Sequence, residues 1–359
     1  MFYIQKLEIK QFRCYKRADF SFSPFKNIIY GDNATGKTSL VEAIYYLGIG
    51  KTFKNTKDVD LITKGTEFMS LKGQIIDDSL NEANNIVLSF DGKTKMITKN
   101  NKNYPSLSEY LGYFNIVVFS PDDLDLIKGS PNERRRFLDI NIGQIDKTYL
   151  NALMKLKKIV KERNEYLKTH ENSINTELLD VYDEAIIEKS LIIIKIRQEF
   201  ITKLNQLVNK INQDLSSNNE MLEMVYQANC SLDNIHLKAR ERRQNDLNLK
   251  QTTWGPTRDD LSFLINKENA NIFASQGQIK TATLSLKLAL AELFLQKNSN
   301  MIVILDDVFS ELDIKRQKKL LSFLDLNIQT FITTTTIDHI DKELLKNSKL
   351  IQIRGENNE

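Results

Sequence analysis

The stretch "GDNATGKTS", residues 31–39, decides the fold, because it opens with glycine, four variable residues, glycine, lysine and threonine. It follows the apolar run "FKNIIY", residues 25–30, and precedes a helical pattern that begins near Lys37. A strand, this loop and a helix in that order are the context in which the pattern binds phosphates. The sequence therefore predicts a nucleotide site in an α/β framework.

Each position of this loop has a physical task. Gly31 and Gly36 permit backbone angles and close approaches that a side chain would block. Successive amides and the helix N-terminus attract anionic oxygens. We expect Lys37 to contact the β- and γ-phosphates and Thr38 to bind Mg²⁺. The predicted ATP-binding loop comprises Gly31, Asp32, Asn33, Ala34, Thr35, Gly36, Lys37, Thr38 and Ser39.

The segment "MIVILDDVFSELD", residues 301–313, predicts the second half of the site. A buried strand that ends in an acid holds Mg²⁺ opposite the loop in P-loop proteins. Asp306 is predicted to hold the metal or its water, and Asp307 to position or activate the attacking water. An exposed acidic strand end is common by itself, but the P-loop elsewhere in the chain favours the functional interpretation.

A second polar loop, "SQGQ" at residues 275–278, precedes a strongly helical run. Its helix N-terminus predicts a second anion-binding end. One nucleotide does not need two such ends, whereas two chains arranged head to tail would use one from each. The alternative is an ordinary core helix, capped by Ser275 or Thr281.

Composition limits the class of protein. The chain has 359 residues, is 41% hydrophobic and 27% charged, and carries a formal net charge of +3, which neither indicates nor excludes nucleic acid. No apolar run is long enough to span a bilayer. The two cysteines are far apart, so a disulfide framework and a zinc cluster are not expected, and a reducing cytoplasm is predicted.

The order of predicted elements indicates one core with an insertion. Strands and an antiparallel meander, with a hairpin turn signal at Asp91–Gly92, precede "FNIVVFS" (residues 114–120). Ser130, Pro131 and Glu133 predict a helix start with a capping box, helices fill the chain to about residue 215, and α/β patterns return after residue 250. The longest helical stripe would extend on the order of 50 Å and should pack on the segment around residues 153–167. The predicted domains are 1–120, the first part of the ATPase head, 121–245, an inserted helical domain, and 246–359, the second part of the head.

These motifs together resemble the RecF family of bacterial recombination mediators. The resemblance also includes "LEIKQFRCY" (7–15), "GKTFK" (50–54), "FSPDDLDLIKGSPNERRRFLD" (119–139) and "GPTRDDL" (255–261), and so covers nearly the whole chain. It implies an α/β fold: an ABC-type P-loop ATPase head, related to structural-maintenance-of-chromosomes heads, with an N-terminal antiparallel β subdomain and an inserted α-helical domain.

The resemblance also implies roles by position. Residues 31–39 would be Walker A, and Asp306 and Asp307 would be Walker B. Residues 275–278 would be the signature motif, which reaches the γ-phosphate of a nucleotide held by the other subunit. The signature residues are Ser275, Gln276, Gly277 and Gln278. The other implied site residues are Ser310 and Asp313 of the D-loop at the dimer seam, and Arg13 near the nucleotide.

The chain departs from the family pattern at a few positions. Ile279 and Lys280 stand where the family commonly has glutamine and arginine, and lysine lacks the planar fork of arginine. Thr257 replaces a histidine, and Ala34 replaces a glycine. No Q-loop glutamine is assigned, and His339 is interpreted as a surface residue.

The function implied by the resemblance is a DNA-repair switch. ATP would join two heads into a homodimer that clamps duplex DNA near single-strand gaps or junctions, and weak, DNA-stimulated ATP hydrolysis would reopen it. RecR and RecO would act with it to load RecA in repair, replication restart and the SOS response. Basic runs on helices are usually solvated faces. The candidate DNA contacts are Arg134, Arg135, Lys157, Lys158, Arg242 and Arg243.

Two other classes remain open from the residues alone. The nucleotide-binding subunit of an ABC transporter would share the signature and the dimer logic, but the helical insertion lacks a recognisable coupling helix. A P-loop kinase of small molecules would not need a second phosphate-facing loop.

Overall fold

The computed structural model describes residues 2–54, 56–78, 80, 82–104, 106–170, 173–216, 220–297, 300–309, 312, 314–324, 328–338 and 340–355. The chain forms two compact units, one of Met1–Asp123 with Leu286–Glu359 and one of Leu124–Ser285. This division groups residues 246–285 with the helical unit. The predicted domain boundaries at residues 121 and 246 stay predictions.

Strands and helices alternate in the order that the sequence patterns suggest. The strands are β1 (Phe2–Phe12), β2 (Tyr15–Ser21), β3 (Lys26–Tyr30), β4 (Met69–Asp77), β5 (Glu82–Phe90), β6 (Lys95–Lys99), β7 (Lys102–Asn103), β8 (Asn115–Phe119), β9 (Leu222–Gln227), β10 (Asp260–Ile265), β11 (Glu268–Asn269), β12 (Met301–Asp306), β13 (Gln329–Thr334) and β14 (Ser348–Gln352). The helices are α1 (Lys37–Ile49), α2 (Leu107–Tyr110), α3 (Asp125–Lys128), α4 (Pro131–Ile145), α5 (Lys147–Thr169), α6 (Thr176–Leu215), α7 (Ile235–Leu249), α8 (Ala270–Phe273), α9 (Gln276–Gln296), α10 (Ile314–Leu324) and α11 (Lys342–Lys346).

The first unit contains an antiparallel sheet in the strand order β2-β1-β4-β5-β6-β7. Its β5–β6 hairpin turns at Asp91 and Gly92, as the sequence predicted. The Asp91 carboxylate accepts hydrogen bonds from the amides of Lys93 (2.9 Å) and Thr94 (2.6 Å), and Gly92 has φ +83°, which favours glycine. The predicted N-terminal β subdomain is confirmed.

The same unit contains a parallel sheet in the order β14-β3-β13-β12-β8. Its central strands β3, β12 and β13 are buried almost throughout, as is usual for strands inside a parallel sheet. Because all five strands are parallel, their carboxyl ends meet at one edge. Only β13 separates the loop after β3 from Asp306 at the end of β12, and this edge therefore positions the candidate site.

The second unit is mainly helical, with a small antiparallel sheet in the order β11-β10-β9. Helix α6 has 40 residues, so it extends about 60 Å, and it packs against α5 as predicted. At the start of α4, Pro131 occupies the first turn, and Ser130 and Glu133 form the predicted capping box.

Buried ion pairs fix the interior of this unit. The guanidinium of Arg197, 1% exposed, lies 2.7 Å from Asp259 and 2.8 Å from Asp139. Arg163, whose side chain is fully buried, pairs with Asp183 and Asp246, each at 2.9 Å. Removing one partner would leave an uncompensated buried charge, which strongly destabilises a fold.

Candidate functional site

The P-loop has the conformation that its glycines permit. Gly36 has φ +110°, and an added Cβ there would lie 2.9 Å from both Cys14 Sγ and the Tyr15 hydroxyl oxygen. At Gly31, with φ +153°, an added Cβ would lie 2.3 Å from the carbonyl oxygen of Ile353. Both positions therefore require glycine for the reason that the sequence suggested.

Lys37 lies inside the loop. Its ammonium donates hydrogen bonds to the carbonyl oxygens of Gly31 (2.7 Å) and Asp32 (2.6 Å). Burial lowers the pKa of Lys37, and the nearby carboxylates of Asp307, Asp32 and Asp306 oppose this shift. The lysine is thus held at the loop, as a side chain that contacts phosphates must be.

Thr38 and Asp306 meet across the sheet edge. The Thr38 hydroxyl donates to Asp306 Oδ1 at 3.0 Å, and the Thr333 hydroxyl donates to the same oxygen at 2.8 Å. Burial raises the pKa of Asp306, whereas these two hydrogen bonds favour its ionised form. A hydroxyl and a carboxylate in contact are the two protein ligands that P-loop enzymes offer to Mg²⁺.

Asp307 follows at an unusual backbone angle, φ +55°. Its amide donates to the Thr333 hydroxyl at 2.9 Å, which fixes the turn after β12. Asp307 is exposed, whereas Asp306 is buried. Adjacent aspartates therefore have different surroundings, consistent with the separate roles that the sequence predicted.

The residues present fit a nucleoside triphosphate and Mg²⁺. The glycine-rich loop, the held lysine and the N-terminus of the 13-residue helix α1 converge at one place. Among the described residues there is no cluster of three or more His, Cys, Asp or Glu side chains arranged for a metal ion. Mg²⁺ in such sites needs only one or two protein ligands, since phosphates and waters supply the others.

Arg13 lies beside this loop but binds a carboxylate. Its Nε and Nη2 donate to the two Glu42 oxygens at 2.8 and 2.9 Å, and the Glu42 side chain is 2% exposed. The Thr52 hydroxyl, from the predicted "GKTFK" segment, also donates to Glu42. Arg13 itself has φ +54°. Its role toward a nucleotide stays a prediction, and its guanidinium contacts Glu42 of α1, the Thr56 hydroxyl and the Asp60 carbonyl.

The signature segment lies in the second unit, where it caps α9. The Ser275 hydroxyl accepts from the Gln278 amide at 3.3 Å, and the Gln278 side chain accepts from the Ser275 amide at 2.8 Å. This is a reciprocal capping box. Ser275, Gln276 and Gly277 are exposed, so the N-terminus of a 21-residue helix faces solvent.

A buried glutamate holds this cap in place. The Gln278 amide nitrogen donates to Glu220 Oε1 at 2.8 Å, and Glu220 is 8% exposed. The Asn212 side chain of α6 donates to the Glu220 carbonyl at 2.9 Å and accepts from the Ser285 hydroxyl at 3.0 Å. The end of α6 and the signature loop are therefore connected by hydrogen bonds.

The candidate DNA contacts differ in their surroundings. Arg134 is 8% exposed and binds both Asp260 oxygens, at 2.7 and 3.0 Å. Arg135 donates to the Asp259 carbonyl, and burial lowers its pKa. Arg243 pairs with Asp180 and Asp183. These guanidinium groups are engaged within the protein, so a phosphate would have to compete for them.

The other three basic candidates are more accessible. The side chain of Lys158 is 78% exposed, 3.9 Å from Glu162, and that of Lys157 is 51% exposed, 2.7 Å from Asp139. Arg242 is exposed on α7. Ser310 and Asp313 of the predicted D-loop, and His339, lie outside the described residues.

Several residues that support the candidate site could not be identified from a single sequence. Thr333 is part of "FITTT", but its contact with Asp306 depends on the order of strands in the sheet. Glu42 and Glu220 are acidic residues without a motif, each recognised only by the buried contact it makes. The pairing of Arg134 with Asp260 joins two quoted motifs, which sequence order alone does not bring together.

Among the described residues, no helix combines the length and the apolar character needed to cross a membrane.

Comparison with known proteins gives a family. The RecF/RecN/SMC N-terminal domain model matches residues 3–358. The DNA replication and repair protein RecF of Bacillus cereus is 38% identical over 364 residues, covering 98% of this chain and 96% of that protein. The RecF protein of Bacillus anthracis has the same identity and coverage.

Solved structures agree with this assignment. A recombination mediator RecF–ATP structure from the RecFOR pathway has a TM-score of 0.87 at 32% identity, covering 95% of this chain and 94% of that one. The corresponding RecF–ATPrS structure has a TM-score of 0.85 at 33% identity, with the same coverage. An Smc head from Pyrococcus furiosus has a TM-score of 0.55 at 18% identity, covering 99% of this chain and 94% of that one, which shows a shared fold.

Proposed function

The chain belongs to the RecF family of DNA replication and repair proteins, and from this premise we propose that it is an ATP-driven DNA clamp. ATP, held by the P-loop of one molecule with Mg²⁺ at Thr38 and Asp306, would also contact Ser275 of a second molecule. The resulting dimer would hold duplex DNA beside single-strand gaps. Slow hydrolysis, with Asp307 positioning water, would release it.

The observation that carries this proposal is the exposed, capped N-terminus of α9. A loop with anion-binding geometry faces solvent at Ser275, Gln276 and Gly277, and the first unit already contains a complete P-loop with Lys37 and Asp306. The positive end of the helix dipole would attract an anion supplied by a second copy. ATP-bound RecF structures support ATP as that ligand.

The partners follow from the family. RecF relatives are recombination mediators of the RecFOR pathway, so we propose that RecR and RecO act with this chain to load RecA in the cytoplasm. The transporter alternative is not favoured, because the similarity to RecF covers 98% of the chain.

Replacing Ser275 by arginine tests the shared nucleotide. A Ser275→Arg variant should bind ATP like the unmodified protein but remain monomeric, because a large cation would occupy the space beside the partner's phosphates. Sedimentation velocity with ATP and Mg²⁺, in an Asp307→Asn background that slows hydrolysis, measures the size. Normal ATP-dependent dimers of Ser275→Arg would contradict the proposal.

A further inference from the structure

Two adjacent apolar residues precede the signature loop and are about two-thirds exposed. Ile272 is 70% and Phe273 is 67% exposed, the highest values among large hydrophobic residues in the described part of the chain. Isolated exposed apolar residues are ordinary. Exposed apolar residues that lie together more often mark an interaction site.

The backbone holds these side chains in place. Ala270, 1% exposed, anchors the short helix α8. The Asn269 side chain caps it by accepting from the Asn271 amide at 3.0 Å, and the Ala274 amide donates to the Ala270 carbonyl at 3.2 Å. The exposure therefore belongs to an ordered segment with a defined orientation.

The surrounding sequence is uncharged. From Asn269 to Ile279 the chain reads "NANIFASQGQI", with no acidic or basic residue. Protein interfaces have an apolar centre depleted of charge and a polar rim, whereas surfaces that bind DNA phosphates need lysine or arginine. The composition of this segment therefore favours a protein partner.

The short distance along the chain between these residues and Ser275 indicates which protein is the partner. Consecutive Cα atoms are about 3.8 Å apart, so the Cα of Phe273 lies within about 8 Å of that of Ser275. This step depends on the proposed function. If Ser275 contacts a triphosphate held by a second copy, Phe273 and Ile272 come within reach of the surface of that copy.

We propose that Ile272 and Phe273 form an apolar contact with a second copy of this chain, beside the nucleotide that the two copies share. The contact excludes water next to Ser275 and adds affinity to the dimer without contributing to the affinity of a monomer for ATP. The same residues are exposed in the monomer, and ATP therefore controls when they are buried.

The test compares Ile272→Ser and Phe273→Ser with two control variants. Val181→Ser and Leu237→Ser replace apolar side chains of similar exposure, 65% and 59%, elsewhere in the same unit. With ATP and Mg²⁺, sedimentation velocity over a concentration series should give dimers of Phe273→Ser that dissociate at about tenfold higher concentration or more. The controls should stay within about twofold, and equilibrium dialysis should show unchanged ATP binding to every monomer.

A second variant gives a direct signal. Trp254, the one tryptophan of the sequence, is buried at 1% exposure, so a Phe273→Trp variant adds one exposed indole. Addition of ATP to the pure protein should shift the emission of that indole to shorter wavelength and protect it from acrylamide quenching. An indole that stays accessible while the protein dimerises would overturn the inference.

The outcomes separate the two proposals. If the unmodified protein does not dimerise with ATP, the proposed function fails and the contact fails with it. If it dimerises and both serine variants dimerise equally well, the contact is wrong while the shared nucleotide stands. Weakened dimers of the serine variants, with normal controls, support both.

Discussion

The Lys37 side chain carries a buried charge that lies inside the P-loop. Its ammonium donates to the carbonyls of Gly31 and Asp32, so the charge is already held at the loop where phosphate oxygens would bind. Because a hydrogen bond to a charged group is worth about 1.5–3 kcal/mol, Lys37→Ala should weaken ATP binding about ten- to a hundredfold. Equilibrium dialysis with labelled ATP measures this.

The control for that variant is Lys64→Ala, which removes an exposed lysine from the same unit. Its ATP affinity should be unchanged. Tight ATP binding by Lys37→Ala would show that the loop does not use this lysine.

In this region, a substitution that removes a charge should lower the stability of the protein most at Glu42. It accepts two hydrogen bonds from Arg13 and one from Thr52 while 2% exposed. Arg13 is 22% exposed, so part of the pair is screened by solvent. We expect Glu42→Gln to lower the free energy of unfolding by about 1–3 kcal/mol in urea titrations.

A surface carboxylate provides the comparison. Glu8 pairs with Lys72 at 2.8 Å, but the two side chains are 42% and 45% exposed. Glu8→Gln should change the free energy of unfolding by less than about 1 kcal/mol. Equal losses in the two variants would mean that the Arg13–Glu42 pair contributes no more than a surface pair.

The signature helix α9 depends on a residue distant in sequence. Glu220 binds the Gln278 side chain, which caps the helix together with Ser275. Losing an N-cap arrangement costs about 0.5–2 kcal/mol, so Glu220→Ala should weaken the ATP-dependent dimer about fivefold while ATP binding to the monomer stays unchanged. Sedimentation velocity and equilibrium dialysis measure the two quantities separately.

Glu220→Gln distinguishes positioning from mere folding. Its amide oxygen can still accept from Gln278, so this variant should dimerise like the unmodified protein. Equal defects in Glu220→Gln and Glu220→Ala would show that the charge, and not the hydrogen bond to the cap, matters.

Short sequence patterns predicted the elements whose structure depends on residues close together in the sequence. The P-loop, the Asp91–Gly92 turn and the Ser130 capping box each follow from residues a few positions apart, and the structure contains all of them. Thr333 and Glu220 could not be found this way, because their contacts join strands or helices whose neighbours are set by tertiary packing. Burial of Arg134 likewise reverses the surface interpretation of a basic run, since its partner Asp260 lies 126 positions away in the sequence.

In the second unit, the accessible basic residues are the ones that a DNA clamp can use. Lys158 and Arg242 are exposed, whereas Arg134 is held by Asp260. Each phosphate contact that is lost should reduce the slope of log affinity against log salt by about one. Lys158→Ala and Arg242→Ala should each show that reduction for gapped duplex DNA with ATP present, measured by fluorescence anisotropy over a salt series.

Arg134→Lys is the informative contrast, because it keeps the charge but loses the two-pronged contact with Asp260. It should lower the free energy of unfolding of the protein while leaving the salt slope unchanged, since Arg134 then acts within the fold and not on DNA. A reduced slope in Arg134→Lys, with unchanged slopes in the two exposed variants, would instead place the DNA at the "NERRR" segment. In that case DNA would have to displace Asp260 from Arg134, and binding would loosen the contact between α4 and β10.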